Sequence, residues 1–121
     1  MKVTYATFLG EQHPLVFSLS ASEKLDEAFG SLDGMEQALS SGRIRDVAKA
    51  ADTVLTILLE AGRIYAAAAG LPLPKPLPCR PADLLDMRDP NALAVVFSAI
   101  ETDSSREVEV EAKNAEATPG Q

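Results

Sequence analysis

Residues 44–69, with the sequence IRDVAKAADTVLTILLEAGRIYAAAA, decide the fold of this chain. Apolar residues recur there at spacings of three, four and seven, which is the pattern of an amphipathic α-helix. The charged residues of the segment fall mostly on the opposite side. The pattern therefore predicts one long helix whose buried face carries Ile44, Val47, Ala48, Ala51, Val54, Leu55 and Leu58.

Gly62 lies within this long helical pattern. A glycine inside a helix costs on the order of 1 kcal/mol relative to alanine. We therefore expect either a kink at Gly62 or a break into two helices. The residues that follow, Ala66 to Ala69, are small enough to let another helix or chain approach closely.

The N-terminal residues predict a β-hairpin over 2–19. Residues 2–7 alternate between polar and apolar types, as in a half-buried strand. The sequence GEQHP at 10–14 is typical of a turn, and LVFSL at 15–19 indicates the second strand. Val3, Tyr5 and Thr7 lie on one side of the first strand.

Two shorter helices are predicted between the hairpin and the long helix. Ser20 is followed three residues later by Glu23, which is the spacing of a capping box at a helix start. Gly30 is placed to end this helix, and a second short helix is expected over 32–40. The apolar face of the first of these helices is expected to carry Leu25, Ala28 and Phe29.

A proline-rich stretch follows the long helix. The sequence LPLPKPLPCRP at 71–81 can form neither a helix nor an inner strand, because each proline fixes φ and lacks an amide donor. It predicts a stiff, extended connector. A short helix is expected over 82–87. Asp89 and Pro90 then predict the start of a last helix, whose inward residues are Leu93, Val96, Phe97 and Ile100.

These elements place the chain in the α+β class with mostly α structure: an N-terminal β-hairpin followed by four or five helices. The length of 121 residues suits one domain, which we assign to 1–101 with the connector at 71–81. Residues 102–121 are acidic and rich in small residues, and we expect a mobile, disordered tail there. Val108 and Val110 could instead pair as an edge strand.

Composition excludes several classes of function. The net charge of −7 argues against binding to a nucleic-acid backbone, which requires clustered lysine and arginine. A single cysteine and a single histidine cannot form a zinc site or an internal disulfide. The chain shows neither a signal peptide nor an apolar run long enough to cross a bilayer. We therefore expect a soluble, cytoplasmic protein that binds neither nucleic acid nor membrane.

Individual residues do not predict an enzyme. His13 precedes a proline in the predicted turn, where a surface histidine is expected, and Cys79 lies in the stiff connector without a recognisable base. Asp83, Asp86 and Asp89 recur every three residues, as oxygen ligands of a metal can. However, the positions of Asp83 and Asp89 are explained by a helix first turn and a helix cap. We predict no catalytic residue, no cofactor-binding residue and no metal ligand.

The order of these elements resembles a known family. The sequence LVFSLSA at 15–21 leads into EKLDEAFGSL at 23–32, then into ALSSG at 38–42, and then into the long apolar helix. This opening resembles that of the small tail assembly chaperones of long-tailed bacteriophages and prophages. The C-terminal sequence from Glu107 to Pro119 also resembles the tails of prophage proteins of this type.

The resemblance implies a non-enzymatic protein in the cytoplasm of a bacterial host. Its implied partners are the helical tape-measure protein of the phage and the tail-tube subunits recruited around it. Self-association into a homo-oligomer is also expected. The alternative is a structural phage protein, a tail or head–tail connection component, that is retained in the particle. A second alternative, an enzyme or small-molecule-binding domain, would require a concave pocket with perturbed ionisable groups.

Overall fold

The computed structural model describes residues 2–86, 88–89, 91 and 93–100, and it confirms an α+β, mostly α fold. A two-stranded antiparallel hairpin comes first, and helices follow it along the chain. The elements are β1 (Thr4–Phe8), β2 (Glu11–Leu15), α1 (Leu19–Phe29), α2 (Leu32–Leu39), α3 (Ile44–Ala69), a 3-10 helix, η1 (Pro81–Leu84), and a helical segment over 94–100, α4.

The long helix has the bounds that its periodicity predicts. Helix α3 contacts β2, α1, α2 and η1, so the core forms around it. Its interior positions Val54, Leu55 and Leu58 are fully buried, whereas Ile44 is 68% exposed, against expectation. Ile44 is the first residue of the helix, and it lies beyond the surface that the other elements cover.

Helix α3 runs through Gly62 as one continuous helix, so the break into two helices, one of the two outcomes we expected, does not occur. The reason for the glycine is the hairpin, whose backbone lies directly against the helix. A Cβ built on Gly62 would overlap the carbonyl oxygen of Pro14 and lie 2.5 Å from its carbonyl carbon. Two residues along, the amide of Val16 donates to the carbonyl of Leu58 at 3.3 Å. Gly62 therefore permits close approach of two backbones.

The hairpin turn lies at Leu9 and Gly10, and the predicted turn at 10–14 is wrong. Both residues have positive φ, 53° and 83°, as in the two-residue loops that match the twist of paired strands. Residues 11–15 form β2, paired with β1 from Phe8↔Glu11 to Thr4↔Leu15. In this register Pro14 can lie in a non-hydrogen-bonded pair, where its missing amide donor costs the ladder nothing.

The buried side of β1 is the one opposite Tyr5 and Thr7. Ala6 and Phe8 are buried, whereas Tyr5 is 46% exposed and Thr7 is also exposed. The alternation of polar and apolar residues predicts that one side of the strand is buried, but it does not determine which side. The position of the hairpin turn decides it, because the turn sets the register of β1 against β2, and β2 is the strand that packs on α3.

The N-cap of helix α1 lies two residues before the predicted one. Ser18 is the N-cap, and its hydroxyl oxygen accepts a hydrogen bond from the amide of Ala21 at 3.1 Å. Ser20 lies inside the helix, so the predicted capping box with Glu23 is wrong. Gly30 ends the helix with φ of 83°, as expected. Leu25 is buried and Phe29 packs against the core, but Ala28 is exposed.

The two serines provide a matched test of this helix start. Ser18→Ala should lower the free energy of unfolding by about 1 kcal/mol, because one amide of the first turn loses its acceptor. Ser20→Ala should change it by less than about 0.5 kcal/mol, because Ser20 is exposed. Urea unfolding followed by circular dichroism measures both values. A larger loss for Ser20→Ala would contradict this cap assignment.

The proline-rich connector has neither helix nor strand over 71–80, as predicted, and it bends at Pro78 and Cys79. The short helix after it is η1, four residues of 3-10 helix instead of an α-helix over 82–87. Helix α4 begins later than expected, and the carboxylate of Asp89 accepts from the amide of Asn91 in a local turn. Val96 and Ile100 are buried, and Leu93 and Phe97 pack against the core, as predicted.

The predicted acidic tail at 102–121 lies outside the described residues. Among the helices that the structure does describe, none has the length and apolar character needed to cross a bilayer.

Candidate functional site

A cleft of about 460 Å³ lies where β2, α3 and the proline-rich connector meet. Helix α3 forms one wall and the connector forms the other. The cleft is lined by His13, Thr56, Leu59, Arg63, Pro76, Leu77, Pro78, Cys79, Arg80 and Pro81. We call it the connector cleft.

Two hydrogen bonds hold the connector beside α3. The Arg63 guanidinium donates through Nη1 to the carbonyl of Pro74 at 2.7 Å. Further along, the amide of Ala82 donates to the carboxylate of Asp52 at 3.1 Å. Pro81 is buried between these contacts and α3. Prolines restrict the backbone of the connector, and these hydrogen bonds attach it to α3 at Pro74 and just after its end at Ala82.

His13 is a buried residue of β2, so its prediction as a surface residue in a turn is wrong. Only 3% of it is exposed, and its ring meets the ring of Phe8 edge-on at a centroid distance of 5.8 Å. Burial lowers the pKa of His13, and the Arg63 charge lowers it further, whereas Glu11 raises it. The imidazole is therefore held in its neutral form at neutral pH.

This lowered pKa predicts that stability depends on pH. The unfolded chain takes up a proton near the ordinary histidine pKa of 6.5, whereas folded His13 resists protonation until the pH is lower. The stabilisation that comes from neutral His13 is therefore fully present above pH 6.5. The free energy of unfolding should decrease as the pH falls below 6.5.

The His13→Gln variant controls for carboxylates, which titrate at lower pH in both proteins. Urea unfolding between pH 7.5 and 5.5 should show a steeper loss of stability for the wild type than for this variant. Equal slopes would contradict a depressed His13 pKa. His13 is the single histidine of the chain, so an untagged protein gives an unambiguous comparison.

The connector cleft is cationic in an acidic protein. Its lining includes Arg63 and Arg80, and it includes no aspartate or glutamate. Arg80 also lies 3.8 Å from Asp83, but both side chains of this pair are largely exposed. Such an exposed pair is weak, so it leaves the guanidinium free to turn towards a ligand. The cleft therefore favours an anion.

Cys79 also lines the connector cleft, and its thiol is exposed and not in a disulfide. The structure places Cys79 in the same cleft as His13, although the two residues are distant in sequence. His13 is buried and Cys79 is exposed.

The three aspartates of the 83–89 segment act in local turns. Asp83 accepts from the amide of Arg80 at 3.2 Å, and Asp86 accepts from the amide of Arg88 at 2.9 Å. Asp89 accepts from the amide of Asn91, as described above. Asp86 and Asp89 also line a second cleft, of about 310 Å³, beside β1. Among the residues that the structure describes, no three acidic, histidine or cysteine side chains form a group suited to a metal ion.

Sequence reasoning did not anticipate the connector cleft. Its lining comes from three separate segments, and their approach depends on Gly62 and on the Arg63–Pro74 hydrogen bond. The available signal was a glycine within an otherwise strong helix, next to an arginine on a mostly apolar stretch. Compared with known proteins, the chain matches no family model, no curated protein and no solved structure.

Proposed function

We propose that this protein is a non-enzymatic tail assembly chaperone of a phage or prophage. It binds the tape-measure protein and recruits tail-tube subunits in the cytoplasm of a bacterial host. The proposal rests on the resemblance of residues 15–42 and the long helix to that family. The order of hairpin, two short helices and long helix is consistent with it.

The observation that carries this proposal is the exposed apolar end of α3. Ile64 is 63% exposed, and Ala67 and Ala68 are also exposed on the same side of the helix. The two alanines allow the backbone of a partner helix to approach closely, and the Ile64 side chain adds apolar surface to the contact. We call Ile64, Ala67 and Ala68 the α3 stripe. A helical tape-measure protein is the partner that the resemblance implies for it.

Co-expression of this protein with the tape-measure protein encoded beside it tests the proposal. The tape-measure protein should become soluble and co-purify with the wild-type chain. The Ile64→Glu variant should co-purify with less than about a tenth of the tape-measure protein that the wild-type chain binds, because a carboxylate would be buried in an apolar contact. The Ile44→Glu variant is the matched control, since Ile44 is equally exposed at the other end of α3.

Two tests decide between the two phage functions. Loss of co-purification in Ile64→Glu alone supports the chaperone and its α3 stripe. A tape-measure protein that stays insoluble beside the wild-type chain contradicts it. Mass spectrometry of purified particles adds an independent test, because a chaperone should be missing from them and a structural component should be present.

A further inference from the structure

We propose that the connector cleft binds a carboxylate that is attached to an apolar body. The guanidinium groups of Arg63 and Arg80, together with the His13 ring, would receive the carboxylate. Leu59 and Leu77 would contact the apolar body. This site is separate from the proposed chaperone function, since no residue of the α3 stripe lines the cleft.

The buried His13 ring is the first observation that indicates a ligand. Every imidazole carries at least one N–H donor, and burying a polar group without a partner costs about 1–3 kcal/mol. Among the described residues, the ring makes an aromatic contact with Phe8 but no hydrogen bond. Because His13 lines the cleft, a ligand oxygen placed there can accept a hydrogen bond from the N–H group of the ring.

The two arginines determine the charge and shape of the ligand. Arg63 uses one N–H for Pro74, and a guanidinium carries five donors, so others remain for a ligand. The planar fork of a guanidinium matches a carboxylate in a bidentate contact. The same fork also fits a phosphate, but phosphate sites typically add backbone amides as donors. The connector wall lacks these at Pro76, Pro78 and Pro81.

The remainder of the cleft suits an apolar group of moderate size. Leu59 is 9% exposed, and Leu77 packs against the core from the connector. The volume of about 460 Å³ lies within the range of small-ligand sites, roughly 300–1,000 Å³. The carboxylate could belong to a free acid or to a glutamate between apolar residues of a peptide, and the two sources share this chemistry.

The experiment is a titration of the untagged, full chain followed by the NMR signals of its single histidine ring. The probes are 4-phenylbutyrate, its uncharged amide 4-phenylbutanamide, and the blocked tripeptide Leu-Glu-Leu. We expect a saturable shift of the His13 signals with at least one carboxylate probe and none with the amide. Arg80→Gln should raise the Kd of that probe about tenfold, as expected for loss of one charge-assisted contact.

Arg88→Gln is the matched control, because that side chain is 92% exposed and does not line the cleft. It should bind the probe as the wild type does. Binding of phenylbutyrate alone identifies a free acid, and binding of the tripeptide identifies a protein segment as the source. The proposal is overturned if neither carboxylate probe gives a saturable shift, if the amide binds equally well, or if Arg80→Gln leaves the Kd unchanged.

Discussion

Replacing Gly62 with alanine is expected to lower the free energy of unfolding by about 3 kcal/mol. The new Cβ would overlap the carbonyl oxygen of Pro14, and its nearest neighbours are all backbone atoms. Backbone cannot give way as the end of a flexible side chain can, so the hairpin would have to move away from α3. Overpacking of this kind typically costs 1–3 kcal/mol or more. Urea unfolding followed by circular dichroism measures the change.

The sign of the effect distinguishes this account from helix propensity. If Gly62 were only a weak point in α3, alanine would raise stability by about 1 kcal/mol. Gly70→Ala is the control, because no atom lies within 4 Å of a Cβ built there. Its φ of 73° is left-handed, so a moderate loss of about 1–2 kcal/mol is expected. A stabilised Gly62→Ala protein would show that the hairpin does not approach α3 closely.

The sequence predicted the long helix well and the hairpin poorly, for a physical reason. The periodicity of α3 extends over seven turns, so local pattern and tertiary burial agree for most of its length. The strands have five residues each, and β2 contains glutamate and proline, which have low strand propensity. Packing against α3 outweighs that propensity. Long periodic elements are therefore predictable here, whereas the register of a short hairpin is not.

Local capping rules gave a similar error at α1. Two serines lie two residues apart, and the pattern with Glu23 favoured Ser20 over Ser18. In the structure the strand ends at Leu15, and the helix begins at Leu19 with Ser18 as its N-cap. The cap that is used depends on where the preceding strand ends.

The connector cleft could not be predicted from the sequence because its parts are brought together by tertiary contacts. His13 precedes a proline, and this favoured a turn on the surface. The structure buries it because Gly62 lets β2 settle against α3. Arg63 then reaches the carbonyl of Pro74 and fixes the connector as the opposite wall. A single close backbone approach thus accounts for both the core and the candidate site.

Replacing Leu58 with alanine is expected to lower the free energy of unfolding by about 2–5 kcal/mol. Leu58 is fully buried in the core around α3. Its carbonyl accepts a hydrogen bond from the amide of Val16, the residue that follows β2. Truncation removes apolar contacts and leaves a cavity at the point where the hairpin meets the helix. The hydrogen bond to the backbone carbonyl does not need the side chain, so the measured loss reports packing.

Ile44→Ala is the matched control on the same helix, since the sequence periodicity places Ile44 and Leu58 on one interior face. The structure leaves Ile44 68% exposed, so its truncation should cost less than about 0.5 kcal/mol. Denaturant unfolding of the two variants side by side measures the difference. Similar losses would mean that Ile44 is covered in solution, by a second copy or by residues beyond those described. A large difference establishes that the core of α3 begins after its first turn.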